Sequence, residues 1–198
     1  IEHEWFQKAL AGDSYYQDFF ILRDEPTDWL SKFGGSAWAP FGDTGKYYLH
    51  LYDVTQADLN WRNPNVRQEL FKVVNFWRDK GVKGFRFDVI NVIGKDEVLL
   101  DCPEQEGKPA YTDKPIVHDY LRMMNEATFG QDDSFMTVGE MSATTIENCI
   151  LYTAPDRQEL SMAFNFHHLK VDYEAGQKWT LKAFDFEELK RLFHTWGK

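Results

Sequence analysis

The strongest constraint on the fold is an alternation of helical and strand patterns that begins at residue 62. Apolar residues recur at helical spacing in some segments and alternate with polar residues in others. The predicted elements are helices over 64–80, 117–129, 145–152 and 186–196, and strands over 84–90, 135–141 and 160–166. This order predicts an α/β fold whose parallel strands are joined by right-handed crossovers.

Three parallel strands do not complete a sheet of this kind. Parallel sheets are normally covered on both faces, and here both edge strands would lack a partner. The pattern therefore indicates part of a larger structure, and it predicts self-association through the open edges.

Residues 1–61 differ from the rest because they show no sustained helical or strand period. They are rich in aromatic residues and turn formers, and we predict one short helix over 1–10, a loop over 33–38 and a strand over 47–52. The change in sequence pattern at residue 62 predicts two domains, residues 1–61 and residues 62–198.

Composition excludes several classes of partner. The chain has 22 Lys and Arg against 32 Asp and Glu, a net charge of −10, so nucleic acids and anionic membranes are not expected partners. No apolar run reaches the roughly 18 residues that a membrane span needs. The chain opens without a signal-like leader, and two cysteines are too few for a disulfide scaffold, which predicts a cytoplasmic location.

Charged residues interrupt the apolar strand over 84–90. Because side chains alternate along a strand, Phe85, Phe87 and Val89 are expected to face covering helices, whereas Arg86 and Asp88 share the opposite face. Charges on an inward face are costly unless they are paired or functional. The pair is therefore either a structural ion pair or part of a catalytic site.

The next strand repeats this design. Met136, Val138 and Glu140 share one face, and Glu140 falls at the carboxyl end, where parallel barrels place catalytic residues. A lone Glu at a strand end is more often a solvated loop residue. Two such carboxylates on neighbouring strands, however, are about 4.8 Å apart in backbone, close to the roughly 5–5.5 Å that retaining glycosidases use.

Such a reaction needs one ionised carboxylate and one carboxylic acid. We expect Arg86 to keep Asp88 ionised, as a nucleophile requires. We expect Met136 and Met141 to surround Glu140 with apolar groups, which favours its protonated form.

Three segments resemble motifs of the α-amylase family of glycoside hydrolases (family 13). Residues 84–91 resemble its strand-4 nucleophile motif, residues 137–141 its strand-5 acid/base motif, and residues 56–61 a stretch near the end of its inserted domain. Ala57 stands where many relatives have Pro, which favours the trehalose-6-phosphate hydrolase subgroup. Further segments that are similar to this subgroup are 33–38, 48–51 and 164–173.

The resemblance implies a partial (β/α)8 TIM barrel, about strands 4 to 6, preceded by an irregular α+β inserted domain (domain B) in residues 1–61. The family's strand-3 motif would lie before Ile1 and its strand-7 motif beyond Lys198. We therefore expect the 198-residue chain alone to be inactive or nearly so. The resemblance implies no cofactor and allows a structural Ca²⁺ ion only in parts of the parent protein outside this chain.

Site roles also follow from the resemblance. Asp88 resembles the nucleophile, Glu140 the general acid/base, and Arg86 the residue that orients and ionises the nucleophile. Val89 resembles the residue of members that avoid linear α-1,4 substrates.

Four more residues are candidates for binding substrate. Phe33 and Tyr52 match aromatic positions that wall the glucose site, although ordinary packing explains them equally well. His167 has no ligand cluster around it in the sequence, so we expect hydrogen bonding or packing and no metal. Lys170 follows the third strand and is either a phosphate partner or a solvated surface residue.

The predicted activity is hydrolysis of trehalose 6-phosphate to glucose and glucose 6-phosphate by double displacement, with a small disaccharide or disaccharide phosphate as the ligand. One alternative is an oligo-1,6-glucosidase or a related α-glucosidase. A further alternative is a non-catalytic barrel that binds carbohydrate or partners a transporter, but it gives no reason for Asp88 and Glu140 in their motifs.

Overall fold

The computed structural model describes residues 1–103, 110–174 and 177–197. Its helices are α1 (Glu4–Leu10), α2 (Ser14–Gln17), α3 (Pro64–Asp79), α4 (Ile116–Ala127), α5 (Ile146–Thr153) and α6 (Phe186–Trp196). Its strands are β1 (Leu22–Arg23), β2 (Trp38–Pro40), β3 (Tyr47–Leu49), β4 (Gly84–Phe87), β5 (Met136–Glu140), β6 (Met162–Phe164), β7 (Tyr173–Glu174) and β8 (Gln177–Leu181).

The strands β4, β5 and β6 form a parallel sheet in that order, which confirms the predicted α/β alternation. Gly84 pairs with Met136, and a Cβ atom at Gly84 would lie 2.6 Å from the Met136 carbonyl oxygen. Only glycine permits this close approach, so the residue fixes where β4 meets β5.

Local signals at the helix ends position the helices as predicted. The Asn63 side chain accepts a hydrogen bond from the Asn65 N–H, and Pro64 occupies the first turn of α3. Gly81 reverses the chain after α3 with φ of +94°. At α6, the Asp185 side chain accepts a hydrogen bond from the Glu188 N–H at 2.9 Å.

One apolar core lies between the parallel sheet and its helices. Phe85 and Phe87 pack against this core, as the alternation predicts. The prediction is wrong for Val89, because β4 ends at Phe87 and Val89 adopts a left-handed backbone with φ of 41°. The buried members of the core are Val74, Ile90, Val117, Leu121, Met124, Phe129, Phe135, Met141, Tyr152 and Leu160.

The first 61 residues build a small antiparallel sheet in the order β1, β3, β2. The predicted strand is shorter than expected and spans Tyr47–Leu49. The strands β1 and β2, of two and three residues, are too short to show a period and escape sequence analysis.

A buried ion pair joins this segment to the loop after β4. Lys95 Nζ lies 2.6 Å from Asp58 Oδ1, and their side chains are only 5% and 15% exposed. The other carboxylate oxygen of Asp58 accepts a hydrogen bond from the Leu51 N–H at 2.7 Å. Asp58 therefore fixes the end of the first segment against the parallel sheet's loop.

The strands β7 and β8 pair as a two-stranded antiparallel sheet that sequence analysis does not predict. Its short first strand has no readable period. In the part of the chain that is described, no helix is both long enough and apolar enough to cross a membrane.

Candidate active site

Asp88 and Glu140 come together at the carboxyl end of the parallel sheet. Phe87 pairs with Gly139. Asp88 and Glu140 each follow one member of this pair, so they lie side by side. The Arg86 guanidinium bridges them, with Nη1 2.7 Å from Asp88 Oδ1 and Nη2 in contact with Glu140 Oε2. Sequence analysis paired Arg86 with Asp88 alone and missed the bridge.

The two carboxylates differ in their exposure to solvent. The Asp88 side chain is 70% exposed, whereas that of Glu140 is 13% exposed. Met141 is buried, but Met136 is 53% exposed and lies at the opposite end of β5, roughly 13 Å along the strand. The expectation that Met136 surrounds Glu140 is therefore wrong, because Met136 shares the face of Glu140 but lies four residues away from it.

A cavity of about 480 Å³ opens beside the two carboxylates, a size that fits a small ligand. Every predicted site residue except Arg86 lines it, namely Phe33, Tyr52, Asp88, Val89, Glu140, His167 and Lys170. Met141, expected beside Glu140, lines it too, and sequence analysis missed the remaining lining residues, which are Lys32, Gln56, Ser142, Ala143 and Phe166. These lie in loops or just after strands, where no period marks them.

Two aromatic rings form one wall of this cavity. Phe33 and Tyr52 meet edge to face, with ring centroids 5.7 Å apart. Phe33 is 72% exposed, so one face of a large apolar ring is open to the cavity and to solvent. Burial raises the pKa of Tyr52, so its hydroxyl stays protonated. An exposed aromatic face of this kind suits the apolar face of a sugar.

His167 and Lys170 also line the cavity, from the turn that follows β6. Asn165 Oδ1 accepts hydrogen bonds from His167 Nδ1 at 2.9 Å and from the His167 N–H at 3.0 Å. This places the proton of a neutral ring on Nδ1 and leaves Nε2 as an acceptor. Burial, and then the charges of Lys170 and His168, lower the pKa of His167.

The neighbouring His168 has a packing role. Its ring stacks on Phe193 with centroids 6.0 Å apart, and His168 does not line the cavity. A search of the described side chains finds no group of three His, Cys, Asp or Glu that could hold a metal ion.

Backbone strain accompanies both carboxylates. Val89 follows Asp88 with φ of 41°, and Ala143 lies three residues after Glu140 with φ of 48°. Left-handed backbone is unusual for alanine and a clear outlier for a β-branched valine. Strain of this kind costs about 1–3 kcal/mol per residue and clusters at functional sites.

Parallel strands with covering helices, and two carboxylates and an arginine near their carboxyl ends, define an α/β domain whose site lies at the carboxyl end of the parallel sheet. A comparison with family models identifies the family within this class. The chain belongs to the alpha-amylase family, because the model of the alpha amylase catalytic domain matches residues 1–198.

Curated relatives resemble the whole chain. A trehalose-6-phosphate hydrolase of Bacillus subtilis (strain 168) is 52% identical over 202 residues, which cover 98% of this chain and 36% of the relative. An oligo-1,6-glucosidase of Parageobacillus thermoglucosidasius is 43% identical over 209 residues, with 100% and 37% covered. The chain thus spans little more than a third of the length of these relatives.

Solved structures agree with this similarity. The crystal structure of Bacillus licheniformis trehalose-6-phosphate hydrolase superposes with a TM-score of 0.92 at 52% identity, covering 98% of this chain and 36% of that one. The isomaltulose synthase of Klebsiella sp. LX3 also superposes with a TM-score of 0.92, at 32% identity, and covers the same shares.

Proposed function

We propose that the protein containing this chain is a retaining glycoside hydrolase that splits trehalose 6-phosphate into glucose and glucose 6-phosphate. The observation that carries the proposal is the pair Asp88 and Glu140, bridged by Arg86 beside a cavity of about 480 Å³. Two relatives at 52% and 50% identity, from Bacillus subtilis and Escherichia coli, are named trehalose-6-phosphate hydrolases and support the substrate.

The reaction proceeds by double displacement. An Asp88 carboxylate oxygen bonds to the anomeric carbon while the glycosidic bond breaks and Glu140 transfers its proton to the leaving oxygen. In the second half, Glu140 removes a proton from water, whose oxygen displaces Asp88 from the anomeric carbon. Two inversions restore the original configuration, and the steps use only the two carboxylates and water, so no cofactor is required.

Arg86 is proposed to orient the nucleophile. Its guanidinium contacts both carboxylates in this structure, but Glu140 must carry a proton before it can act as an acid. The contact with Asp88 is therefore the one that persists in the productive complex, where it stabilises the ionised nucleophile.

We assign residues 1–61 to an inserted domain (domain B) and residues 62–198 to about strands 4 to 6 of the (β/α)8 barrel. In this arrangement the insert supplies Phe33 and Tyr52 to one wall of the glucose site. The barrel strands supply the carboxylates, and Val89 beside Asp88 limits which glucosides fit.

The phosphate of the substrate is assigned to Lys170, with His167 beside it. Both residues line the cavity, and a Lys ammonium is a suitable partner for a phosphate group. The acidic chain as a whole repels anions, so local cations have to supply this recognition.

The test compares two substrates in the full-length protein. Wild type is expected to hydrolyse trehalose 6-phosphate with a higher kcat/KM than isomaltose. Lys170→Met is expected to lower kcat/KM about 10- to 100-fold for the phosphorylated disaccharide, the worth of a charged hydrogen bond, and to leave unphosphorylated glucosides nearly unchanged.

Lys182→Met is the matched control, because Lys182 is exposed and does not line the cavity. An unchanged preference for phosphorylated over plain disaccharide in Lys170→Met would remove Lys170 from the phosphate site. A wild-type preference for isomaltose would favour an oligo-1,6-glucosidase, the name of a relative at 43% identity.

We also propose that the isolated 198-residue chain self-associates. In the described residues β4 and β6 each have a single strand neighbour, and α3 exposes Val73, Phe76 and Trp77. Open edges and apolar faces favour pairing between copies. Light scattering is expected to show oligomers, and a monodisperse monomer with cooperative unfolding would contradict the proposal.

A cytoplasmic location stays a prediction. Cys149 carries a free thiol. Burial raises the pKa of Cys149 to about 11, so its thiol is protonated and unreactive at neutral pH. Thiols of this kind are compatible with a reducing compartment.

A further inference from the structure

Asn91 is a fully buried polar side chain between the loops that follow β4 and β5. It lies three residues after Asp88 but does not line the cavity, so it cannot contact the substrate there. A buried amide is costly unless its donors and acceptor are all satisfied, so its partners should explain its presence.

The Asn91 amide pairs with the backbone of Ser142 through two hydrogen bonds. Asn91 Nδ2 donates to the Ser142 carbonyl oxygen at 2.8 Å, and the Ser142 N–H donates to Asn91 Oδ1 at 2.9 Å. The side chain thus binds the loop after β5 as a neighbouring strand would. Because both atoms of the amide are used, the two loops are held in one relative position.

Asp113 makes two further hydrogen bonds with Asn91. Asn91 Nδ2 also donates to Asp113 Oδ1 at 2.8 Å, and the Asp113 N–H donates to the Asn91 carbonyl oxygen at 2.9 Å. The Asp113 carboxylate further accepts from Asn148 Nδ2 at 2.8 Å and from the Tyr152 hydroxyl at 3.0 Å, both on α5. These hydrogen bonds therefore connect Asn91 to α5, whose Tyr152 belongs to the apolar core of the parallel sheet.

The two sides of this link differ in how far strand pairing extends. Glu140 belongs to β5, and the next N–H, that of Met141, donates to the Phe164 carbonyl oxygen at 2.9 Å. Asp88 lies beyond the end of β4 and is followed by the left-handed Val89. The bonds to Ser142 thus anchor the loop of Asp88 to the fixed end of β5.

We infer that Asn91 is a positioning residue, which holds Asp88 at the distance from Glu140 that a retaining mechanism requires. The effect of Asn91 on the reaction at Asp88 rests on the proposed function. Without the amide, the strain at Val89 is free to relax and Asp88 drifts away from the anomeric carbon. A misplacement of about 1 Å can lower a rate about 100-fold.

The test measures formation of the covalent adduct in the full-length protein, with a fluorinated α-glucosyl fluoride as the probe. Fluoride leaves without help from an acid, so the rate reports the nucleophile and not Glu140. Asn91→Ala is expected to slow adduct formation about 10- to 100-fold while the dissociation constant of the probe stays within about twofold. General disorder of the site would instead weaken binding of the probe.

Asn148→Ala is the matched control, because it removes a bond to Asp113 and leaves the Ser142 pair intact. It is expected to form adduct within about twofold of the wild-type rate. Equal slowing in both variants, or unchanged adduct formation in Asn91→Ala, would overturn the inference. Asn91→Leu keeps nearly the size of the side chain and removes both bonds to Ser142 without adding a charge, and it replaces Asn91→Ala in the same assay if the alanine variant does not fold.

Amide hydrogen exchange separates this inference from the proposed function. Asn91→Ala is expected to speed exchange at the Ser142 N–H and in residues 88–92, and to leave Met141 protected by its bond to Phe164. Unchanged exchange would overturn the inference even in an active enzyme. A wild-type protein that hydrolyses no α-glucoside would overturn the proposed function, while the exchange rates still decide whether Asn91 links the loops.

Discussion

Replacing Asp88 by asparagine in the full-length protein is expected to lower kcat/KM for trehalose 6-phosphate by about 10⁴-fold or more, the scale seen when a nucleophile is removed. An amide has nearly the size of the carboxylate but cannot form the glycosyl ester. Its loss of charge also removes the ion pair with Arg86, whose Nη1 lies 2.7 Å from Asp88 Oδ1. Initial rates of glucose release give the measurement, and mass spectrometry of a trapped wild-type adduct identifies the residue.

Glu140→Gln should differ from Asp88→Asn in its dependence on the leaving group. Loss of the general acid is expected to lower kcat/KM about 10²- to 10⁴-fold for a disaccharide. An aryl glucoside such as para-nitrophenyl α-glucoside needs little protonation and keeps most of its kcat/KM. Asp156→Asn is the matched control, because Asp156 is exposed in a turn away from the cavity. A trapped adduct on any residue other than Asp88 would refute the assignment of Asp88 as the nucleophile.

Lys95→Met is expected to destabilise the protein by about 3–5 kcal/mol, because it leaves a buried carboxylate without its counter-charge. Lys95 and Asp58 are 5% and 15% exposed, so water cannot replace the lost ammonium. Asp58 also holds the Leu51 N–H, and its rearrangement would loosen the segment that supplies Tyr52 to the cavity. Urea denaturation of the full-length protein measures the change in the free energy of unfolding.

Lys114→Met is the matched control for this variant. Its ammonium lies 2.6 Å from Asp96, the same distance as in the buried pair, but the Asp96 side chain is 57% exposed. An exposed pair contributes about 0–1 kcal/mol, so this variant should unfold close to wild type. Equal destabilisation by the two substitutions would show that burial of Asp58 does not matter.

Much of the parallel sheet and its helices could be predicted because local signals agree with the tertiary structure. Asn63 and Pro64 begin α3, Gly81 follows its end, and Asp185 caps α6. The strands β1, β2 and β7 could not be predicted, since two or three residues contain no period and their pairing depends on distant partners.

The two carboxylates were predicted to meet because alternation and parallel order place strand ends side by side. Three features of the site could not be read in the same way. The sequence pattern of a strand continues through Val89, but the backbone of Val89 is left-handed, a conformation that no local pattern indicates. The contact of Arg86 with Glu140 and the pairing of Asn91 with Ser142 cross between segments 51 or more residues apart, beyond any local pattern.

The left-handed valine beside the nucleophile sets stability and activity against each other. A glycine at position 89 would adopt φ of 41° without the steric penalty that a β-branched side chain pays there. Selection for heat resistance alone would therefore favour residues that relieve this position, whereas selection for turnover would retain the valine and the geometry it imposes on Asp88. Engineering of a more durable enzyme from this scaffold should accordingly leave codon 89 fixed and seek its gains elsewhere.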